Sequence, residues 1–324
     1  MNRIHRRFWI LLLLGAFVLP GCGAIPHKKG DAKITKVAAE RGEIDLIFDR
    51  YRAVRNSAIE LLDPKPLSTV EGETVLAIDS GSFEVSQRLA KKQKLDSSDL
   101  LVLEVLSPEL KKYPLWFIVR VEDKTRDVIK VQVFERARAA DQWLLMASPE
   151  ILPSTKLPDL ERGRDGTVLT VKGTDKTGLN LSPEQAVTNY VAALNDPKSA
   201  EAKTVLEDSF MRQMLDGAAA SGALKGVTFI QKWGGKDIEY ALRTSDGGAL
   251  VFATLLRQDS YSVKDGLSLT WPDGSPQQAF LGKEISTSGK LNYYHQVLMY
   301  VPGKDGGKPR VLGQLGGVVS AEGV

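Results

Sequence analysis

The side chains most often recruited for chemistry are scarce in this chain. Its 324 residues include one cysteine, Cys22, and three histidines, His5, His27 and His295. A thiolate can attack or bind metal, and an imidazole can shuttle a proton or bind metal. His295 lies in the apolar run Leu291–Val301, beside Tyr293, Tyr294 and Tyr300. Read as a strand, that run puts His295 on one face with Tyr293, Val297 and Met299, because side chains alternate. A histidine hydrogen-bonded within a half-buried sheet is the simplest account of it. Trp116, Tyr293 and His295 are the candidates for an aromatic-lined ligand pocket. So few histidines argue against a two-histidine metal site, and any Ser-His-Asp triad must be built on His295. No catalytic set, metal site or cofactor is expected.

Three further motifs invite chemistry and are each incomplete. Asp79-Ser80-Gly81-Ser82 resembles the active-site turn of aspartic proteases. Those enzymes share one proton between two carboxylates, and the chain has no second Asp-Ser/Thr-Gly. The segment reads instead as a short strand, Thr74–Ile78, ending in a turn, with a helical turn over Thr74–Ile78 as the alternative. Lys176-Thr177-Gly178 matches part of the penicillin-binding-protein signature, but no serine has lysine three positions later. The Gly-rich stretch Val301–Pro309 lacks the Gly-Lys-Ser/Thr ending of a phosphate loop. Lys91-Lys92-Gln93-Lys94 reads as a solvated helix end.

Cys22 has a more definite setting. Arg3, Arg6 and Arg7 precede the apolar run Phe8–Leu19, and Leu19-Pro20-Gly21-Cys22 follows. A helix of this run spans roughly 18 Å, too short for a bilayer, as suits a signal peptide. Leu at −3, Gly21 at −1 and Cys22 resemble the lipobox of bacterial lipoproteins; Pro20 replaces the usual small residue at −2. The expectation is cleavage between Gly21 and Cys22, fatty acylation of Cys22 by palmitate-like chains, and anchoring to membrane lipid. Arg6-Arg7 resembles a twin-arginine signal, whereas the strongly apolar run suits the general secretory route; the residues leave both open. Ala24–Lys36 then forms a polar tether of at most about 40 Å, and Lys28-Lys29 can rest on anionic head groups.

Cleavage also changes the charge. The precursor is +3, but the leader holds three of the 43 bases and none of the acids, leaving 40 bases against 40 acids. A nearly neutral body has no electrostatic footprint for nucleic acid. With Cys22 acylated no thiol remains, so the exported body depends on its hydrophobic core rather than on disulfides.

The elements that would position these residues fall into two similar halves. Lys36–Leu61 predicts an amphipathic helix, with Ile44, Ile47, Tyr51, Val54, Ala58 and Leu61 at helical spacing. Val85–Lys94 predicts a short helix. Leu100–Leu106, Leu115–Glu122, Val128–Arg138 and Gln142–Met146 predict an antiparallel meander. Pro153–Leu181, rich in Pro and Gly, reads as a linker with one strand at Thr167–Val171. Ser182-Pro183-Glu184-Gln185 is a helix start, with Ser as N-cap and Pro at the first position. A second helix is expected over Ser199–Leu215 and a connector over Gly217–Gly226. Strands are expected at Val227–Trp233, Ile238–Arg243, Ala249–Leu256, Leu267–Trp271, Gln278–Leu281, Leu291–Val301 and Arg310–Val319, with a hairpin at Ser245-Asp246-Gly247-Gly248. The organisation is therefore leader 1–21, acylated Cys and tether 22–35, an α+β domain 36–152, a linker 153–181 and a second α+β domain 182–324. Each domain would pack helices on a curved antiparallel sheet.

The lipobox, Tyr113-Pro114-Leu115-Trp116-Phe117, the strand ending near Trp143 and the restart at Leu181-Ser182-Pro183-Glu184 together resemble actinobacterial surface lipoproteins that carry a domain of unknown function. The helices-then-sheet halves are similar to the nuclear-transport-factor-2-like fold. The resemblance implies no known activity and supplies no catalytic residues. The expected function is a non-catalytic binding or scaffolding module on the extracytoplasmic face of the cell membrane, engaging an envelope protein or a small ligand. The rivals are a solute-binding lipoprotein of an importer, which would need parallel central sheets, and a carboxylate-based envelope hydrolase, which would need two facing carboxylates, one with a raised pKa.

Overall fold

Side-chain alternation along one strand divides the molecule into layers. In β2 (Leu115–Asp123), Leu115, Phe117, Val119 and Val121 face a cluster built with the first helix, whereas Trp116 and Ile118 face the second sheet. The computed structural model describes residues 38–39, 41–90, 100–163 and 166–322. The leader 1–21, Gly21, Cys22, the tether through residue 37, and Lys91–Lys94 lie outside these residues. No helix among the described residues is long and apolar enough to cross a membrane.

The first sheet is the expected meander, β1 (Leu100–Leu106), β2, β3 (Val128–Arg136) and β4 (Leu144–Ala147), with β5 (Glu150–Ile151) also on β3. Helix α1 (Arg41–Leu61) lays Ile44, Phe48 and Tyr51 on it. Leu61, expected on that stripe, is 70% exposed, because the last turn packs through Ala58 and Ile59 against Leu67 and Phe83 instead.

The second sheet has the order β12-β11-β8-β6, using Arg310–Glu322, Ser288–Val301, Ala249–Val263 and Val227–Gly235. β7 (Tyr240–Arg243) pairs with the start of β8 across the expected hairpin. Helices α3 (Pro183–Asn195) and α4 (Ser209–Gly222) cover one face through Tyr190, Ala193, Phe210 and Met211. The opposite face, with Tyr240, Leu242, Leu250, Phe252 and Leu298, meets Trp116, Ile118, Val131 and Val133 of the first sheet. The molecule is α+β, with helix, sheet, sheet and helix stacked in sequence. The described residues from 38 to 322 form one compact unit, in which each half has its own sheet, while α2 of the first half packs against β12 of the second.

The segment expected as a linker is a strap between the halves. Val168 is fully buried in the inter-sheet layer. Its amide donates to Ser107 O at 3.0 Å, and Val171 N donates to Ala241 O at 3.0 Å. The expected strand Thr167–Val171 is reduced to isolated bridges from Val168 to Pro108 and Arg162 and from Thr170 to Leu242.

Three expectations are corrected. Thr74–Ile78 is not the strand but the helical alternative, the start of α2 (Glu73–Arg88), which also takes in Val85–Arg88 of the expected helix Val85–Lys94. The β-branched residues suggested extension, but Val75, Ile78 and Phe83 recur at helical spacing and are buried. Packing overrides their mild propensity. Gly81 permits that packing, since a Cβ there would overlap the Val318 carbonyl of β12. Ser199–Leu215 is not one helix. Asp208 accepts a hydrogen bond from Met211 N at 2.9 Å and starts α4 afresh, after a 3-10 turn at Glu201–Thr204. Gln278–Leu281 is not a strand but lies in α5 (Pro276–Leu281), capped by Ser275. A short pair, β9 (Leu269–Thr270) with β10 (Glu284–Ile285), flanks it.

Candidate functional site

The histidine singled out by residue type sits in a filled cluster. Register places Tyr293 of β11 and Trp233 of β6 opposite Arg257 of β8. The Arg257 guanidinium carbon lies 3.9 Å from the Tyr293 ring centre and 5.9 Å from that of Trp233. Its Nε donates to both Asp259 oxygens at 3.0 and 3.1 Å. Gln231 donates to Asp259 at 3.0 Å and accepts from Trp233 Nε1 at 2.7 Å. Burial works against the Arg257 charge, but its bonds to Asp259 prevail and hold its pKa above the usual value.

His295 packs against this network. Its ring centre lies 5.3 Å from Trp233, 5.5 Å from Phe210 and 6.2 Å from Tyr293. Gly316 on β12 leaves room for it, since a Cβ there would overlap the imidazole. The expected face is correct: Val297 and Met299 lie in the same helix-covered core. The expected hydrogen bonding is not. Neither ring nitrogen reaches a partner at normal distance, though Gln314 is close enough to favour a proton there slightly. Burial, and then the Arg257 charge, lower the His295 pKa to about 4. The imidazole is therefore neutral near pH 7 and a poor general base. Trp116 belongs elsewhere, in the inter-sheet layer, with its ring 5.2 Å from Tyr240. The three candidate pocket residues are thus not brought together.

The incomplete motifs resolve into structure. Asp79 pairs with Arg55 of α1, and Gly81 meets β12, so the protease-like turn is a helix-packing segment. Thr177 N donates to Asp175 Oδ1 at 2.8 Å in a loop. No cluster of three metal-ligating side chains occurs among the described residues.

One open site lies at the junction of the sheets. A cleft of about 360 Å³ has an apolar floor including Leu144, Met146 and Phe252. One wall is the start of α2, at Gly72–Thr74, and the other is the strap Lys236–Tyr240 between β6 and β7. Gln296 holds the floor together: Ser148 N donates to its Oε1 at 2.9 Å, and its Nε2 donates to Met146 O at 2.8 Å. The Lys236 ammonium lies 3.5 Å from Thr74 Oγ1 and 4.8 Å from the Tyr294 ring centre. Glu73, Asp237 and Glu239 also line the cleft, so three carboxylates stand against one ammonium.

Tyr240 links this wall to a perturbed carboxylate. Its hydroxyl donates to Glu135 Oε2 at 2.7 Å. Burial raises the Glu135 pKa, the Tyr240 bond lowers it, and the Glu239 charge adds a further rise. Burial, followed by the Glu135 charge, drives the Tyr240 phenol far above its usual value. The cleft can take a small molecule with an apolar body and a cationic or hydroxyl group. None of its residues was singled out from the sequence. Glu135 and Tyr240 are 105 positions apart, and the break at Gly234-Gly235-Lys236 was the only local hint.

Residues 35–323 match the family described as "Domain of unknown function (DUF8094)". Among similar curated proteins, an uncharacterized lipoprotein of Streptomyces avermitilis is 23% identical over 76% of this chain and 74% of its own length. Two uncharacterized lipoproteins of Streptomyces coelicolor are 25% and 22% identical, over 80% and 88% of this chain and 75% and 86% of theirs. The expected kinship with actinobacterial lipoproteins is thereby met. No solved structure matches, so the nuclear-transport-factor-2-like resemblance rests on element order alone.

Proposed function

From the premise that the chain belongs to the DUF8094 family, whose relatives here are lipoproteins, we propose that it is a non-catalytic binding module held on the extracytoplasmic face of the membrane by acylated Cys22. The inter-sheet cleft is the observation that carries the binding role. Its volume lies within the usual range of ligand pockets, and an apolar floor with few polar groups is their common character. The carboxylate-rich rim favours a small amphipathic cation.

Hexylammonium is a suitable probe, with hexanoate as the charge-reversed control. NMR should show hexylammonium shifting Tyr240, Thr254 and Gln296, and hexanoate should not. Thr254→Trp, which fills the cleft, should abolish the shifts. Equal responses to both probes, or shifts that survive Thr254→Trp, refute the assignment. Intact mass of the cell-made protein tests the anchor, through acyl mass on a chain beginning at residue 22.

One observation favours a second reading, hydrolysis by carboxylates. Glu135 has a raised pKa, and Glu239 lies nearby. Against it, Glu135 is outside the cleft lining and already holds the Tyr240 proton donor. Turnover of an envelope ester or glycoside that disappears in Glu135→Gln while hexylammonium binding persists would establish that reading. The importer reading fits poorly, because the strands of both main sheets pair antiparallel.

A further inference from the structure

Strand β1 has the composition that sheet edges normally avoid. It ends the first sheet, and among the described strands only β2 pairs with it. Edges are usually blunted by charge, proline or cover. Here the sequence is Leu-Leu-Val-Leu-Glu-Val-Leu, and Leu101, Val102, Leu103 and Val105 are 36–48% exposed. The single charge, Glu104, is bound by Arg120 at 3.0 Å and by Arg162 at 2.9 Å. A register irregularity between Val102 and Glu104 sets Leu103 out of the ladder. Val102 and Val105 stand opposite Val121 and Val119, whereas Leu101 stands opposite Glu122 on the other face. A strand added to this edge would complete the ladder but leave both rows of side chains wet. A medium that surrounds the ridge covers them all.

Two observations identify that medium. Ala38 N donates to Ser107 Oγ at 3.1 Å, so the chain arriving from Cys22 joins the body at the residue after β1. The 15 intervening residues let Cys22 and Ala38 lie at most about 55 Å apart. Lys111 and Lys112, in the connection from β1 to β2, are exposed. Exposed lysines on the same connection that receives Ala38 suit an anionic lipid surface next to exposed aliphatics of the preceding strand.

We propose that the β1 ridge is a second membrane contact. Leu101, Val102, Leu103 and Val105 enter the boundary between headgroups and acyl chains, and Lys111 and Lys112 rest on anionic headgroups. The unpaired backbone edge stays in the wet headgroup layer, because hydrocarbon cannot satisfy it. The proposal rests on the lipid-anchor reading above.

The test uses the full, cell-made protein reconstituted in phosphatidylglycerol–phosphatidylcholine vesicles, as Leu103→Cys and, separately, Lys304→Cys. With Cys22 acylated, each variant has one free thiol for an environment-sensitive fluorophore. The label at 103 should blue-shift and be quenched by nitroxide lipid, and the label at 304 should do neither. Lys111→Glu with Lys112→Glu should cut the quenched fraction on the order of tenfold. Two labels per chain would mean a free Cys22 thiol and would overturn the anchor, and this proposal with it. With one label, identical behaviour at 103 and 304 overturns the ridge alone. So does a blue shift at 103 that rises with protein concentration without vesicles, which would assign β1 to a second copy.

Discussion

The His295 cluster and the inter-sheet cleft make opposite use of their residues. The cluster gathers Trp233, Arg257, Asp259, Tyr293 and His295, all side chains that enzymes favour, and seals them beneath α4. The cleft is lined mainly by small, aliphatic and ordinary charged residues, and it is open. Chemical versatility is a property of exposed groups with partners to exchange. Once buried, the same groups become packing material whose charges must be matched internally.

The largest effect should come from removing that match. Asp259 is 1% exposed and is the carboxylate that holds Arg257. Asp259→Ala leaves a buried guanidinium uncompensated, which costs about 3–5 kcal/mol. Urea denaturation should show a loss of that size. A loss below about 1 kcal/mol would mean that the cluster is hydrated, and the contrast with the cleft would fail.

His295 tests the same seal by titration. An unfolded imidazole takes a proton as pH falls through 6.5, whereas the folded one resists until about 4. Between these values the unfolded state holds more protons, so stability drops as the pH is lowered. The shift corresponds to about 3 kcal/mol lost by pH 4. His295→Phe should match the parent near pH 7 and exceed its stability by about that amount at pH 4. Parallel pH profiles for the two proteins would show that the imidazole is accessible.

The cleft should answer more gently. Gln296→Leu deletes the bonds to Ser148 N and Met146 O. Two orphaned backbone groups at a partly open site should cost about 1–3 kcal/mol. Hydrogen exchange should quicken at Ser148 and along β4 while the His295 cluster stays protected. Uniform acceleration would mean that the clamp supports the entire sheet pair rather than the cleft.

Legibility in the sequence followed the range of the interactions. The meander was readable because each strand pairs with its neighbour through a short turn, and β1 begins and ends where its apolar run does. Ser182-Pro183-Glu184-Gln185 announced α3 because a cap acts within four residues. Ser275-Pro276-Gln277-Gln278 carries the same signal for α5, and the apolar tail Ala279-Phe280-Leu281 obscured it. Helix α2 was missed because its partners, β12 and Arg55, lie far away in sequence. The cleft was invisible for the same reason, since its walls meet only when the two sheets stack. The face of His295 was predictable from alternation, but its lack of hydrogen bonds depended on Phe210 and Gly316.

The smallest expected effect gives the finest comparison. Tyr240→Phe removes one hydrogen bond to half-buried Glu135 and leaves the T-shaped contact with Trp116 in place. The cost should be about 1 kcal/mol near pH 7, because Glu135 is only half-buried and can recover water. Its pH dependence should run opposite to that of His295. The Tyr240 bond lowers the Glu135 pKa, so the variant raises further a value that burial has already raised. A raised carboxyl stabilises the fold most below its unfolded pKa and loses that contribution as pH climbs through the folded value. The deficit of Tyr240→Phe should therefore be smallest below pH 4.5 and widen as pH rises. Carboxyl NMR of Glu135, alongside urea unfolding at three pH values, reads both parts. A deficit independent of pH would show that Glu135 is already solvated without Tyr240, leaving no distinct electrostatic character at that end of the cleft.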